Sequence, residues 1–258
     1  MTGQLRPEHA ALLERFAADN ARAVAAGTPE LDIRYGPHAR QTLDLFRTGA
    51  PRRGLVAYFH AGYWQARDKS GFRFLAPPLT HDGFDVALVN YPLAPDATVA
   101  EIVAAAREAL GRLRELAGGA PLLLAGHSAG AQIAIELAMA DPSSVAAVLA
   151  ISGVYDLAPL IDTTLNDKLG LDAASAEAAS PLNRVVQDCP PVLFAVGKME
   201  TPAFRDQTAA MAQAWAAAGN RCESMIVPGA DHFTMLAELT RDGGLLRGWL
   251  GDQSPRLA

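Results

Sequence analysis

The chain has 258 residues, half of them hydrophobic and 19% charged, with no low-complexity run, so a packed interior can form and a disordered chain is excluded. Lys and Arg number 22 against 28 Asp and Glu, a formal charge of −6, and no basic block occurs, so neither nucleic acid nor a membrane surface is an expected partner. The length fits one α/β domain over 1–258.

In chain order, Leu12, Leu13, Phe16, Ala17, Ala23 and Val24 recur at helical spacing, which predicts an amphipathic helix over about 7–26 that stops at Gly27. Apolar segments at 31–35 and 42–46, separated by Gly36-Pro37, predict a β-hairpin of edge strands. The pattern then changes to short apolar runs divided by helical stretches, as parallel strands joined by crossover helices require. Strands are expected at 54–59, 85–90, 121–125, 145–151, 191–196 and 222–227. Helices are expected at 99–117, 129–140, 203–218 and 233–250, the first stopped by Gly118-Gly119. Segment 156–188, rich in Pro, Asp and Ser, predicts short helices forming a small lid over the carboxyl edge of the sheet.

Cys189 and Cys222 are too few for a disulfide scaffold and too far apart for a C-x-x-C pair. No apolar leader and no run of roughly 18 apolar residues is visible, so the cytoplasm is the default compartment. The histidines lack metal-ligand spacing and no G-x-G-x-x-G occurs, so no metal or cofactor is expected. Side chains must supply the chemistry.

Gly126-His127-Ser128-Ala129-Gly130 is a G-x-S-x-G pentapeptide between the apolar run Leu122-Leu123-Leu124-Ala125 and a helical stretch. That context predicts a nucleophile elbow, in which glycines allow a sharp turn and Ser128 stands at the top of the sheet. A serine hydroxyl needs an imidazole to take its proton, and the fold's chain order is serine, acid, histidine. His232 is the histidine that follows Ser128 in the chain. For the acid, Glu200 is favoured because it leaves the carboxyl end of a strand, with Asp206 and Asp156 as alternatives; Asp231 adjoins the histidine too closely in sequence to orient it. An oxyanion hole would draw on the N–H groups of Ala129, Gly62 and Tyr63, the latter two in the loop His60-Ala61-Gly62-Tyr63-Trp64 after strand 54–59. His60 is expected to brace that loop. Tyr63, Trp64 and Phe233 could form an aromatic wall for substrate, although Trp64 reads equally well as core packing.

Further blocks extend the pattern: His60 to Gln65 with Lys69 behind, Asn90-Tyr91-Pro92-Leu93-Ala94-Pro95, Ser152-Gly153-Val154-Tyr155-Asp156-Leu157, Ser180-Pro181-Leu182, Thr201-Pro202-Ala203-Phe204 and Asp231-His232-Phe233. Together with the elbow they resemble the arylformamidases, or kynurenine formamidases, of the hormone-sensitive-lipase-like branch of the α/β-hydrolases. The resemblance implies the α/β-hydrolase fold, with a mostly parallel sheet flanked by helices, and hydrolysis of an aryl formamide such as N-formylkynurenine. Two departures stand out: Ala61 where the family usually has glycine, and Glu200 where its acid is usually Asp. Ala61 implies either a position without positive φ or a slightly re-set loop; Glu200, one methylene longer, implies a backbone set further from His232.

The expected partner is therefore a small-molecule acyl substrate, with the oligomeric state, a homodimer included, left open. A general short-chain carboxylesterase uses the same machinery. A non-catalytic ligand-binding receptor on the same fold is the reading from another class.

Overall fold

The computed structural model describes residues 9–253. Its centre is an eight-stranded sheet in the order β1-β2-β4-β3-β5-β6-β7-β8. The strands are β1 Glu30–Arg34, β2 Thr42–Phe46, β3 Gly54–Phe59, β4 Phe84–Val89, β5 Leu122–His127, β6 Ala147–Ile151, β7 Val192–Gly197 and β8 Cys222–Val227. β1 and β2 pair antiparallel, as does β2 with β4, and the remaining pairs are parallel.

The expected hairpin forms, but β2 is not an edge strand. All five of its residues are buried because it lies between β1 and β4, while β1 is mostly exposed and forms one edge of the sheet. The apolar runs of β3 to β7 are buried on both faces, which is why they show no polar alternation. Within each run alternate residues serve opposite layers. Leu55, Ala57, Phe59, Leu122 and Leu124 join one core, and Val56, Tyr58, Leu123 and Ala125 the other.

The helices are α1 His9–Gly27, α2 Ala76–His81, α3 Val99–Ala117, α4 Ala129–Ala140, α5 Asn166–Leu169, α6 Ala173–Ala178, α7 Pro202–Ala217, α8 Ala237–Thr240 and α9 Leu245–Asp252. α3, α4 and α7 pack in the first core, and α1, α2, α8 and α9 in the second. α3 is bounded as its sequence indicates, by a capping box between Thr98 and Glu101 and by Gly118 in the left-handed region at φ 56°. Pro7 lies outside the described residues. Segment 156–188 holds α5, α6 and the 3₁₀ turns Ala158–Leu160 and Pro181–Arg184.

A further expectation needs correction. The helix expected over 233–250 is interrupted: a 3₁₀ turn Thr234–Leu236 leads into α8, the chain turns through Gly243 at φ 66°, and α9 starts afresh. A Cβ on Gly244 would stand 2.2 Å from the Glu238 carbonyl oxygen, so the break needs glycine there. Segment 69–81 carries helical structure that the apolar pattern did not announce, a 3₁₀ stretch Lys69–Leu75 capped by Asp68 and continued by α2 with proline in its first turn.

β3 is flanked by β4 on one side and β5 on the other, so the chain leaves the carboxyl ends of β3 and β5 in different directions. That divergence opens a crevice at the sheet edge. The loop after β3 and the turn after β5 both border it.

Candidate active site

β5 ends in Gly126 and His127, and the chain turns at Ser128, whose φ of 58° and ψ of −120° are rare for a residue with a Cβ. A Cβ on Gly126 would come within 2.1 Å of the Gly130 carbonyl oxygen, and one on Gly130 within 2.0 Å of the Phe59 oxygen. The turn therefore tolerates only glycine at both places. Ser128 N–H donates to the Ile151 carbonyl at 2.8 Å, tying the turn to β6. Ser128 Oγ is buried, has no hydrogen-bond partner among the described residues, and borders a cavity of about 730 Å³. That volume suits a small organic ligand.

His232 borders the same cavity, after β8, with its Nδ1 2.7 Å from Glu200 Oε2. A carboxylate can only accept, so Nδ1 carries a proton, and in the neutral ring Nε2 keeps its lone pair. Glu200 is 2% exposed, and its other oxygen accepts from Ser152 Oγ at 2.5 Å and from Gly197 N–H at 2.9 Å. Three donors thus fix one carboxylate. Of the alternative acids, Asp206 is exposed on α7, and Asp156 accepts from Ala158 N–H at 3.0 Å. Asp231 turns away from the ring beside it and pairs with His9 at 2.7 Å. A Cβ on Gly197 would lie 2.4 Å from the Ala230 oxygen, so the loops bearing Glu200 and His232 run in contact there.

Sequence reasoning did not single out Ser152 or His127. Ser152 has φ 49° at the end of β6, and a polar residue leaving the carboxyl end of a strand was the available signal. The His127 ring is 2% exposed, lies 4.4 Å from the His232 ring and has no hydrogen-bond partner for either nitrogen among the described residues. Burial, then the nearby His232, push its pKa well below the ordinary histidine value, so it stays neutral.

The loop after β3 has Gly62, Tyr63 and Trp64 at φ 141°, 51° and 57°. Ala61 is not among the positive-φ residues. A Cβ on Gly62 would stand 2.1 Å from the Ala66 carbonyl oxygen, which accepts no such neighbour. The Gly62 carbonyl accepts from Gln65 and Ala66 N–H at 3.0 and 3.1 Å, closing the turn. The N–H groups of Gly62, Tyr63 and Ala129 donate no hydrogen bond among the described residues. His60 is fully buried behind the loop, its Nδ1–H donating to Ala61 O at 2.8 Å and its ring stacked 4.4 Å from Tyr91. Burial lowers its pKa to about 4.

Tyr63 and Phe233 line the cavity; Trp64 does not. Its indole is fully buried, with Nε1–H donating to Gln132 Oε1 of α4 at 3.2 Å. Its expected place in a substrate wall is thus corrected: the left-handed backbone at 63–64 turns Trp64 into the core, where it fastens the loop to α4. Burial, and then the charge of Glu200, raise the Tyr63 pKa, keeping its hydroxyl neutral. The rest of the wall comes from Phe204, from Leu160 and Leu165 of segment 156–188, and from Leu13 and Phe16 of α1. The contribution of α1 was not anticipated, since one amphipathic face does not say what it covers. Among the described residues no three His, Cys, Asp or Glu side chains group to hold a metal ion, and no helix is long and apolar enough to cross a membrane.

Comparison with known proteins agrees with this architecture. Residues 56–236 match a family model described as the alpha/beta hydrolase fold. Kynurenine formamidase of Danio rerio is 30% identical over 231 residues, covering 84% of this chain and 78% of that protein. A crystal structure from Silicibacter sp. TM1040, named a candidate thioesterase, superimposes with a TM-score of 0.84 at 31% identity over 91% of this chain and 90% of the other. An esterase of Pyrobaculum calidifontis shares the fold, with a TM-score of 0.72 at 19% identity over 97% and 93% of the two chains. The chain belongs to the α/β-hydrolase family, and within it to the relatives of the kynurenine formamidases.

Proposed function

We propose that this protein is a serine hydrolase that cleaves a small acyl compound, an aryl formamide such as N-formylkynurenine or a short-chain ester, through an acyl-enzyme. The observation that carries the reading is the 2.7 Å contact between Glu200 and His232 Nδ1 at the cavity bordered by the strained Ser128.

In the first half-reaction Ser128 Oγ attacks the acyl carbon and passes its proton to His232 Nε2. The carbonyl oxygen takes up negative charge and meets the N–H groups of Gly62, Tyr63 and Ala129, the last reinforced by its place at the start of α4. His232 then gives the proton to the leaving nitrogen or oxygen as that bond breaks. Water, deprotonated by the same Nε2, attacks the acyl-enzyme, and the serine recovers its proton as the acid is released. Glu200 holds the ring's orientation and stabilises the imidazolium. Segment 156–188 acts as a lid.

The relationship to kynurenine formamidase favours the formamide. A general carboxylesterase differs only in substrate, and the name of the Silicibacter relative brings a thioester into the same comparison. The non-catalytic receptor leaves the strained serine and the oriented histidine without a use. The reading takes the cytoplasm as its compartment, where the free thiols Cys189 and Cys222 are at home.

The test is turnover of N-formylkynurenine, phenyl acetate and a short-chain thioester by the wild-type protein and Ser128→Ala, with organophosphonate labelling of Ser128. Ser128→Ala is expected to lose on the order of 10⁵ to 10⁶ in kcat while keeping its fold. An active variant, or a wild type that the probe does not label, would sink the serine mechanism.

A further inference from the structure

In the loop after β3, Gly62, Tyr63, Trp64 and Arg67 all have positive φ, and such backbone persists where its surroundings over-determine it. Among the described residues, side-chain hydrogen bonds hold this stretch to three different elements. Trp64 Nε1–H donates to Gln132 of α4 at 3.2 Å, and the Arg67 carbonyl accepts from Arg40 Nη2 at 2.9 Å. Both reach the body of the fold. The third bond does not: Gln65 Nε2–H donates at 2.7 Å to the carbonyl of Leu165, which lies 100 residues on in segment 156–188.

The far end of that bond belongs to a stretch, 158–171, that is tied mainly to itself. Asn166 Nδ2 donates to the Ile161 and Leu171 carbonyls at 3.1 and 2.9 Å, and its Oδ1 accepts from Leu171 N–H at 2.7 Å, which closes the stretch into one loop. Leu169 and Leu171 are buried in the first core and hold its rear. Among the described residues, the bond from Gln65 is the one hydrogen bond that joins 158–171 to chain outside 156–188. Leu160 and Leu165 line the cavity together with Gly62 and Tyr63, so a ligand that fills it touches both sides of the tether. On the loop side, the N–H groups of Gln65 and Ala66 close the turn on the Gly62 carbonyl at 3.0 and 3.1 Å. A shift of the Leu165 carbonyl therefore passes through the Gln65 amide into the turn that carries the N–H groups of Gly62 and Tyr63.

We propose that Gln65 is a positioning residue that couples the lid to the oxyanion loop, so that a leaving group seated against Leu160 and Leu165 sets the aim of the Gly62 and Tyr63 N–H groups. This rests on the acyl-hydrolase reading above. Binding energy from a part of the substrate remote from the reacting carbon then appears in kcat rather than in KM. Gln65→Met keeps the reach of the side chain and removes the donor, and Gln65→Lys restores a donor. The side chain is half-buried, so both variants should melt close to wild type.

With formanilide as substrate, Gln65→Met should lower kcat about five- to tenfold, the size of one hydrogen bond to a carbonyl, with KM within about twofold, and Gln65→Lys should recover most of the loss. Amide exchange reads the coupling without turnover. In a Ser128→Ala background, formanilide should slow exchange in 159–167 and at the backbone amides of Gln65 and Ala66 together. With Gln65→Met added, the protection in 159–167 should remain and that at residues 65 and 66 should vanish. If the exchange result holds but the wild type hydrolyses neither formanilide nor phenyl acetate, the coupling stands and the hydrolase reading fails. Protection at residues 65 and 66 that survives Gln65→Met, formanilide that leaves 159–167 unprotected, or a loss confined to KM overturns the coupling.

Discussion

His9 Nε2 stands 2.7 Å from Asp231 Oδ2, so the first turn of α1 grips the residue that precedes His232. The His9 ring also lies 4.7 Å from Phe233 on the other side. Asp231 in turn accepts from the N–H groups of Phe233 and Thr234 at 3.0 and 2.9 Å. Against the upward push of burial, the Thr234 N–H and the His9 ring hold its carboxyl below the ordinary range. A helix nearly the whole chain away thereby helps set the histidine loop.

His9→Ala should accordingly loosen two places at once. Amide exchange is expected to quicken both in 9–27 and in 230–236, with a stability loss of about 1 kcal/mol, the net value of one partly buried hydrogen bond. Turnover should fall several-fold, because the loop and the α1 wall of the cavity move together. Unchanged exchange in 230–236 would show that the histidine loop stands without α1.

The acid is held from three sides, and that separates two substitutions. Glu200→Gln keeps the shape but removes the charge that favours the imidazolium, so kcat should drop by roughly 10³ to 10⁴. Ser152→Ala removes only the 2.5 Å donor to the far oxygen, and the carboxylate keeps its Gly197 and His232 contacts; a loss of about tenfold is expected. Steady-state kinetics on one ester measures both. If Asp206→Asn or Asp156→Asn proved more damaging than Glu200→Gln, the acid would be misassigned.

Much of this arrangement is legible in the sequence because it is local. The elbow announces itself through Gly126 and Gly130, whose missing side chains answer to contacts at 2.1 and 2.0 Å. The buried strands show as unbroken apolar runs, and Glu200 is found by its place after β7. What escaped notice depends on contacts distant in sequence. Trp64 looks like any aromatic beside a site until the backbone of 62–64 is known to be left-handed. The helical stretch at 69–81 is polar in its first part because its charges are paired with Asp32 and Asp44 of the hairpin, and no periodicity records that. The break before α9 was readable in Gly243-Gly244, which the apolar pattern on both sides obscured.

Acid should weaken the fold in a definite window. Burial depresses the pKa of His60 to about 4 against 6.5 in the unfolded chain. Between those values the unfolded state binds a proton that the native state refuses, so stability falls as pH drops from about 6.5 toward 4 and levels off below. The full loss from His60 is on the order of 3 kcal/mol, and buried His127 adds in the same direction. Denaturant unfolding at pH 7 and at pH 4.5 measures it. His60→Gln, compared by its own difference between the two pH values, should show a smaller acid loss; an equal loss would place the sensitivity elsewhere.

Tyr63 and Trp64 are neighbours in sequence with opposite surroundings, and their alanine variants should fail in opposite ways. Trp64 is fully buried, outside the cavity lining, and bonded to Gln132. Trp64→Ala should cost about 3 to 5 kcal/mol through the void it leaves, and the unpaired Gln132 adds to the loss. Because the loop is fastened to α4 through that indole, the N–H groups of Gly62 and Tyr63 should lose their aim, lowering kcat for every substrate alike. Tyr63 lines the cavity, and Tyr63→Ala removes an aromatic surface worth about 0.5 to 1.5 kcal/mol beyond its buried area. Its backbone N–H remains, so the proposed oxyanion contact can survive, although alanine is no more at ease than tyrosine at φ 51°. The expected result is a near-native melting temperature and a preference for aryl over alkyl leaving groups reduced about tenfold at most. Thermal melts, together with kcat/KM for phenyl and ethyl esters of one acid, separate the two variants. A Trp64→Ala protein that melts like wild type but has lost its aryl preference would return the indole to the substrate wall and overturn the assignment of Trp64 to the core.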